Sequence, residues 1–335
     1  MSGKSPFFSL ITIVVLGLAL AGPVSAQQKP VLSGAIDESS RATIAGSRHP
    51  LALPQFDAGT VDPTTRLDRL LLVLGPSPQQ ESDLQAFLDS QQDKTSPNYH
   101  HWLTPDEFGQ KFGPAPQDIE TVKGWLAREG FTVSSVARSG RWIEFSGTSG
   151  QVEHAFDTFL RRYDVAHGHH IANATEISVP AALAPVVKGV VSLHDFFKKP
   201  MLKNYFQARA NADGTYSAIT PDATLSTANG PIHALTPGDY ARIYDLAPLY
   251  SATPTPLNGT GITIAVVARS DVSGSDVAGF RQITGLPPAG FSNVLTLPPD
   301  PGIDLATGDG VEAALDAEWA GAVAPGANIN AVVSS

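Results

Sequence analysis

Two carboxylates near the C-terminal end of the sequence have the spacing of a catalytic acid pair. Glu312 and Asp316 stand four residues apart in the stretch GDGVEAALDAEWAGAVAPGANI, which is predicted to be helical. At this spacing both side chains lie on one helical face, where each negative charge makes ionisation of the other more costly. The neighbouring residues are almost all apolar, and the stretch contains no lysine. Such a pair tends to share a proton.

The same pattern also has an ordinary structural interpretation. Pairs of carboxylates at this spacing are common on solvated helices, and exposed like charges there cost only a few tenths of a kcal/mol. In that interpretation Asp309 caps the start of the helix and Glu318 points outward into solvent. The choice between the two interpretations depends on the rest of the sequence.

The N-terminus has the features of a secretory signal peptide. After Lys4, an apolar run extends from Phe7 to Leu20 and is followed by the small residues of Val24-Ser25-Ala26. A run of this length is short for a membrane span, which needs about 20 residues. Cleavage is predicted after Ala26, and an uncleaved anchor is the alternative. The mature protein is therefore expected to be secreted, either to the periplasm or to the extracellular medium.

Composition is consistent with export and argues against nucleic acid as a partner. The chain has no cysteine, so its stability cannot depend on disulfides. Its formal net charge is −10, which is unfavourable for binding nucleic acid. From residue 201 onward, five lysines and arginines stand against twelve aspartates and glutamates. This balance is typical of a protein that works in acid, where carboxylates are partly neutral.

Hydrophobic periodicity predicts an α+β domain that opens at RLDRLLLVLGPSPQQ. The polar residues ahead of it, 27–49 and on to about residue 62, are expected to form an extended arm. One compact antiparallel sheet with helices on one face is expected. The predicted strands are Leu70 to Leu74, the pair FTVSSVA and RWIEFSG turning at Ser139-Gly140, and a region near Tyr163 to Ile177. The predicted helices are Glu81 to Gln91, Gln117 to Glu129 and Gln151 to Leu160.

A segment between the first two predicted helices carries a family resemblance. Residues 96–114, SPNYHHWLTPDEFGQKFGP, resemble the activation-domain signature of the sedolisin family of serine-carboxyl peptidases, whose members include kumamolisin-like and tripeptidyl-peptidase-like proenzymes. The segment FSGTSGQVEHAFDTFLRRY and the later VPAAL are also similar to that propeptide. The resemblance implies that residues 50–197 are a pro-kumamolisin-type activation domain.

A second resemblance begins at LTPGDYARIYDL and continues to the acidic helix, and it looks like the first part of the family's catalytic domain. In the family, the E-x-x-x-D helix supplies two members of a Ser-Glu-Asp triad, and Glu312 and Asp316 match those positions. The resemblance implies that Glu312 accepts the proton of the nucleophilic serine and that Asp316 holds Glu312 by a hydrogen bond. A carboxylate base of this kind is expected to operate in acid.

The sequence departs from the family in lacking the nucleophile. No G-T-S-x-x-x-P motif follows the acidic helix, and neither the aspartate of the family's oxyanion hole nor its calcium-binding C-terminal loop is present. The chain is therefore interpreted as C-terminally truncated, inactive alone and without a bound cofactor or metal. Ser149 lies in a similar S-G-T-S run, but the position four residues later is Glu153 rather than proline. That run is predicted to be a strand end and a helix cap.

Residues 235–335 are expected to be the N-terminal part of an α/β subtilisin-like domain with a parallel sheet. The apolar run Gly261 to Ala268 predicts a parallel strand buried on both faces. A helix over Val277 to Ile283 and a strand over Ile329 to Val333 are predicted to follow. Part of such a domain leaves open edges and an incomplete core, so low stability is expected there.

Several other features have weaker interpretations. His167, His169 and His170 allow a metal site, but the segment reads as a loop without helical ligand spacing. His100 and His101 belong to the family signature and are expected to pack or to make pH-sensitive contacts with the catalytic domain. Residues 198–234 lack periodicity and are predicted to be a linker, with a processing cut just ahead of Ala234.

Two functions remain open from the sequence. The first is a secreted precursor of an acid-acting serine-type peptidase, whose propeptide inhibits the catalytic domain and assists its folding. The second is a non-enzymatic propeptide protein that inhibits or chaperones a related peptidase in trans. The expected partners are protein or peptide substrates and the peptidase domain bound by the propeptide, with no nucleic acid and no membrane after signal cleavage. Glycoside cleavage by the two carboxylates is disfavoured, because two acids on one helix do not flank a glycosidic bond.

Overall fold

The computed structural model describes residues 28–165, 168–197, 200, 205, 207–208, 211–227, 230–297 and 300–334. It divides into two units between Phe196 and Phe197. The predicted signal peptide, residues 1–26, lies outside the described residues. Among the residues that are described, no helix is both long enough and apolar enough to cross a membrane.

The first unit combines helices with antiparallel sheets. Its helices are α1 (Pro78–Gln92), α2 (Pro105–Phe112), α3 (Pro116–Arg128) and α4 (Ser149–Phe156), with a 3-10 turn at Pro54–Phe56. Its strands are β1 (Arg41–Thr43), β2 (Asp57–Thr60), β3 (Arg66–Leu74), β4 (Thr132–Val136), β5 (Trp142–Thr148), β6 (Leu160–Val165), β7 (Gly168–Asn173), β8 (Ser178–Pro180) and β9 (Val187–Val191).

Capping residues in the sequence fix where three of these helices begin. Ser77, Thr104 and Thr148 each accept a hydrogen bond from the backbone three residues later, and the side chain at that later position bonds back to the cap. This capping box satisfies two backbone donors that a helix otherwise leaves free. The cap at Thr104 starts α2 inside the signature segment, where no helix is predicted from periodicity.

The strands of the first unit form three sheets rather than the single sheet predicted. The orders are β4-β5-β3-β9, β2-β6-β7 and β1-β8, and every pairing is antiparallel. Alternate residues of β3 point into the core, where Leu70, Leu72 and Leu74 are fully buried. They pack with aromatic side chains from α3, β5 and α4, namely Trp125, Phe145 and Phe156. The core therefore lies between the largest sheet and two helices.

Two predicted segments of the first unit differ from the structure. The helix predicted over Gln151 to Leu160 ends at Phe156, because Asp157 adopts a left-handed conformation with φ of 50° and Leu160 already begins β6. The strand region predicted near Tyr163 to Ile177 is confirmed as the paired strands β6 and β7, but His169 and His170 lie within β7 and not in the loop to which they were assigned. Short alternating strands of mixed polarity such as β7 give a weak sequence signal.

The N-terminal arm packs onto the first unit through a buried carboxylate on α3. The side chain of Asp118 is fully buried, and its two oxygens accept hydrogen bonds from the backbone N–H groups of Val31 and Leu32 at 2.9 and 3.0 Å. Leu32 itself is buried in the core. The extended arm is thus part of the folded unit.

Asp118→Ala is expected to destabilise the first unit by about 2 kcal/mol, since two backbone donors lose a charged acceptor. Urea unfolding followed by far-UV circular dichroism measures this loss. Glu120→Gln is the matched control on the same helix, because the Glu120 side chain is exposed and pairs only with Lys123. A loss below about 0.5 kcal/mol in Asp118→Ala, which is the range of an ordinary surface substitution, contradicts the anchoring role.

The second unit has a parallel sheet with helices on it. Its helices are α5 (Pro237–Ile243), α6 (Ala247–Tyr250), α7 (Gly274–Ile283) and α8 (Asp309–Val323). Its strands are β10 (Ala223–Thr227), β11 (Gly230–Ala234), β12 (Thr263–Ala268), β13 (Phe291–Leu297) and β14 (Asn328–Ser334). The sheet order is β12-β14-β13, and both pairings are parallel. The chain as a whole is therefore a mixed α and β protein.

The strand predicted to be buried on both faces is covered on one face only. Along β12 the residues alternate between exposed and partly buried, and Val267 is 81% exposed. Helix α8 packs on one side of β12 and β14 through buried Ala313 and Ala317. No described element covers the side that carries Val267. The apolar run in the sequence therefore identifies the strand but overestimates its burial.

The predicted linker over residues 198–234 contains ordered structure in the second unit. Strands β10 and β11 pair antiparallel, from Ala223 opposite Ala234 to Thr227 opposite Gly230. Ahead of them, the backbone N–H of Ile219 donates to the carbonyl of Ile283 at the end of α7. Ala234, next to the predicted processing cut, is the buried last residue of β11.

Candidate functional site

Helix α8 is positioned by small residues at its start and along its inner face. Gly308 precedes the helix with φ of 92°, a left-handed conformation that favours glycine. A side chain at Gly310 would meet the carbonyl oxygen of Asp304, so the loop can approach the first turn only because this residue is glycine. Ala313 and Ala317 are buried against the sheet. These contacts fix the rotation of α8 about its own axis.

Because Ala313 and Ala317 face the sheet, Glu312 and Asp316 lie together on another face of α8, one turn apart. Glu312 is half-buried and Asp316 is exposed. Partial desolvation nevertheless raises the pKa of the Asp316 carboxyl above its ordinary value. The structure contains no hydrogen bond between the two carboxyl groups, so the predicted bond from Asp316 to Glu312 stays a prediction. The arrangement offers two acids on one face, one of which holds its proton more tightly than usual.

Asp309 does not cap α8 with its side chain. It is the first residue of the helix, and its carboxylate pairs with the Arg269 guanidinium at 2.8 Å. The capping position belongs to Gly308, which has no side chain to donate or accept. The salt bridge joins the start of α8 to the residue after β12, beside the face that carries Glu312.

Glu318 is a titratable residue of α8 that does not point into solvent, as the ordinary structural interpretation of the acidic helix would have it. Its side chain is half-buried and lines a cavity of about 580 Å³ together with Asp276 of α7 and Trp319. Burial, reinforced by the negative charge of Asp276, raises the pKa of Glu318 to about 7. It is two residues from Asp316, which places it on a different side of the helix. One sign of this environment was present in the sequence, because the acidic residue Asp276 directly precedes the neighbouring helix predicted over Val277 to Ile283.

Ser149 lies away from this site and has a structural role. It follows the capping residue Thr148 at the start of α4, is fully buried, and donates its hydroxyl hydrogen to the carbonyl of Asp62 at 2.6 Å. The prediction that this run is a strand end and a helix cap is confirmed, since β5 ends and α4 begins here. A buried hydroxyl that is already bonded to a carbonyl is poorly placed to act as a nucleophile.

The other histidines singled out in the sequence have ordinary partners in the first unit. His169 lies 2.6 Å from Asp164, and His170 lies 3.4 Å from Asp195. His100 stacks between Tyr99 and the exposed Trp102. His167 lies outside the described residues. Within the described part of the chain, no group of three or more histidines, aspartates or glutamates has the geometry to hold a metal ion.

Comparison with known proteins relates the first unit to a family of propeptides. Residues 56–196 match the family model described as Pro-kumamolisin, activation domain. This match covers most of the first unit, including the capped α2 segment and the core around Trp125. The first unit thus contains a pro-kumamolisin-type activation domain, and the chain as a whole is similar to peptidases of the sedolisin family.

Three characterised relatives show how far the similarity extends. Kumamolisin from Bacillus sp. (strain MN-32) is 26% identical over 297 residues, which cover 88% of this chain and 50% of that protein. Xanthomonalisin from Xanthomonas sp. (strain T-22) is 27% identical over 241 residues, covering 71% of this chain and 28% of that protein. Sedolisin from Pseudomonas sp. (strain 101) is 26% identical over 209 residues, which cover 62% of this chain and 32% of that protein. The chain thus spans half or less of the length of these relatives.

Proposed function

We propose that this chain belongs to a secreted precursor of a serine-type peptidase that acts in acid. In this proposal, residues 56–196 inhibit the peptidase domain and assist its folding until they are removed. Glu312 acts as the base that activates a serine, and Asp316 positions Glu312. The substrates are proteins or peptides, and export follows from the predicted signal peptide.

The extent of the similarity to kumamolisin carries the proposal. Its 297 aligned residues exceed the 196 residues of the first unit, so the similarity continues into the second unit. That unit contains the parallel sheet and the helix with Glu312 and Asp316. An activation domain followed by such a unit is the order expected of a peptidase precursor.

The surroundings of Glu312 and Asp316 support the proposal that the 335-residue polypeptide has no peptidase activity by itself. A general base needs a nucleophile within hydrogen-bond reach, at about 2.6–3.2 Å. Neither Glu312 nor Asp316 contacts a serine hydroxyl among the described residues. We also expect no bound metal or cofactor, and calcium binding as in the family is not proposed for these residues.

A non-enzymatic role in trans is the second candidate, and the self-contained core of the first unit favours it. Its buried residues, among them Trp125, Phe145 and Phe156, come from within residues 28–196. A unit with its own core can fold and bind a related peptidase without the rest of a catalytic domain.

A pair of assays on the purified chain tests the function. We expect no hydrolysis of a fluorogenic peptide at any acid pH, and inhibition of kumamolisin when the chain is added in trans. Hydrolysis that disappears in Glu312→Ala would show that the chain already holds a complete site and would overturn the proposed inactivity. Failure both to hydrolyse and to inhibit would contradict both candidate functions.

Sequencing the transcript beyond codon 335 separates the two candidates. An in-frame G-T-S-x-x-x-P motif in the continuation supports the precursor and its triad. A stop codon directly after Ser335 supports the inhibitor, because the acidic pair then has no serine to activate.

A further inference from the structure

Three histidines surround one aromatic ring at the C-terminal end of the first unit. The imidazole of His49 stacks on Phe196 with 4.3 Å between ring centroids, and His170 of β7 stacks on the same ring at 4.2 Å. The His194 ring lies 4.6 Å from that of His49. The three histidines come from the N-terminal arm, from a sheet strand and from the last segment of the unit. Their packing therefore joins these three parts.

Two ring nitrogens of this histidine cluster have surroundings that favour an uncharged imidazole. The Nδ1 atom of His49 accepts a hydrogen bond from the backbone N–H of Leu51 at 3.2 Å, so a proton on this atom would break the bond. The Nδ1 atom of His194 is buried and has no hydrogen-bond partner. A proton there would place a charge where neither water nor an acceptor can stabilise it.

The charged groups around the cluster do not compensate for protonation of all three rings. Asp195 is the nearest carboxylate, 3.4 Å from His170, and it already accepts the backbone N–H of Ile171 at 2.7 Å. On the strands beneath, Arg161 and Asp57 pair with each other at 2.5 Å. Arg48 of the arm and the Tyr163 hydroxyl, which lie near each other and near Asp57, carry no negative charge at neutral pH. Asp195 acts on His170 and His194, and no carboxylate acts on His49 among the described residues.

These surroundings lower the pKa values of two members of the histidine cluster. Burial, followed by repulsion from His194 and His170, lowers the pKa of His49 below its ordinary value of 6.5. Burial lowers the pKa of His194 despite the opposing attraction of Asp195. A depressed histidine pKa means that the unfolded segment binds protons more readily than the packed one. The stability of this packing is therefore complete above pH 6.5 and falls as the pH drops below that value.

We propose that the histidine cluster is an acid-sensitive latch that holds residues 194–196 on the first unit at neutral pH and releases them in acid. The latch concerns the end of the activation domain, since both the family match and the unit boundary stop at Phe196. Its biological purpose rests on the proposed function: a precursor exported into acid would free the end of its propeptide there. The release itself does not depend on any peptidase activity.

A backbone amide inside the latch reports its state. The N–H of Asp195 donates to the carbonyl of Ile171 at 3.1 Å and is protected while the segment is packed. Hydrogen exchange of this amide in the full chain is measured at about pH 7 and about pH 5 and corrected for the intrinsic exchange rate. We expect the corrected rate to rise about tenfold on acidification, because the imidazoles with a lowered pKa bind their protons more readily in the released segment.

The double variant His49→Asn and His194→Phe removes the two groups whose pKa is lowered and is expected to abolish most of this rise. Asparagine keeps an acceptor for the Leu51 amide, and phenylalanine keeps a ring without the unpartnered nitrogen. His169→Gln is the matched control, because His169 lies on the same strand as His170 but is exposed and pairs with Asp164 outside the cluster. The control should retain the full rise.

Three results would overturn the latch. They are a pH-independent exchange rate of the Asp195 amide, an unchanged rise in the double variant, or loss of the rise in His169→Gln. If the double variant does not fold, nuclear magnetic resonance titration of the wild-type imidazoles decides the question. Values of pKa at or above 6.5 for both His49 and His194 would then contradict the latch. Trans inhibition of kumamolisin, measured separately, tests the proposed function alone.

Discussion

Trp125→Ala is expected to destabilise the activation domain by about 3–5 kcal/mol, the usual cost of deleting a large buried aromatic side chain. Trp125 is fully buried, and its ring meets Phe156 edge-on with 5.5 Å between centroids. Its indole N–H also donates to the carboxylate of Glu38 in the N-terminal arm at 3.0 Å. The substitution therefore leaves a cavity in the core and loosens the arm at the same time.

Urea unfolding of the full chain, with near-UV circular dichroism as a tertiary probe, measures this loss. Trp102→Ala is the control, because Trp102 is 66% exposed and its removal should change the free energy of unfolding by no more than about 0.5 kcal/mol. Trp125→Phe should fall between the two, since it keeps an aromatic ring but loses the bond to Glu38. Equal losses in Trp125→Ala and Trp102→Ala would contradict the assignment of the core.

Periodicity predicted those elements whose apolar residues face one core. Strand β3, helix α3 and the hairpin of β4 and β5 follow from repeating leucine, valine and aromatic positions, and the structure confirms them. Helix α2 was missed because its eight residues carry only a short apolar repeat, Phe108 and Phe112, and its start is set by the Thr104 capping box. The division into three sheets was missed because it depends on long-range pairings such as β1 with β8.

In the second unit, the sequence identified β12, α7 and α8, but not the environment of each side chain. Strand β13 was not predicted; it follows α7 in the chain and pairs with β14 at the edge of the sheet. Spacing alone places Glu312 and Asp316 on one face of α8, as the structure also has them. Spacing does not reveal that Glu318 lies beside Asp276, because that approach depends on how α7 packs against α8. Tertiary contacts therefore decide which carboxylate has the most perturbed pKa.

Glu318→Gln is expected to remove most of a pH-dependent loss of stability in helix α8. The pKa of Glu318 is raised from 4.5 to about 7, so the folded state favours the protonated carboxyl more than the unfolded state does. Because the carboxyl ionises more readily in the unfolded state, the stability of α8 is greatest in acid and falls as the pH rises from 4.5 to about 7. At pH 8 the loss should reach on the order of 3 kcal/mol. Glutamine keeps the shape and polarity of the neutral acid without titrating.

Hydrogen exchange of the α8 amides in the full chain, corrected for intrinsic rates, measures this dependence between about pH 4 and about pH 8. Asp276→Asn should reduce the loss without abolishing it, because burial is the larger cause of the pKa shift and Asp276 the smaller one. Asp222→Asn is the control in the same unit, since that side chain is exposed and asparagine tolerates its left-handed backbone conformation. An α8 that becomes more stable as the pH rises, or a Glu318→Gln variant with the wild-type pH dependence, would show that Glu318 is not held in a desolvated site. In that case the cavity beside α7 would be open to water, and the acids on α8 would titrate as ordinary surface carboxylates.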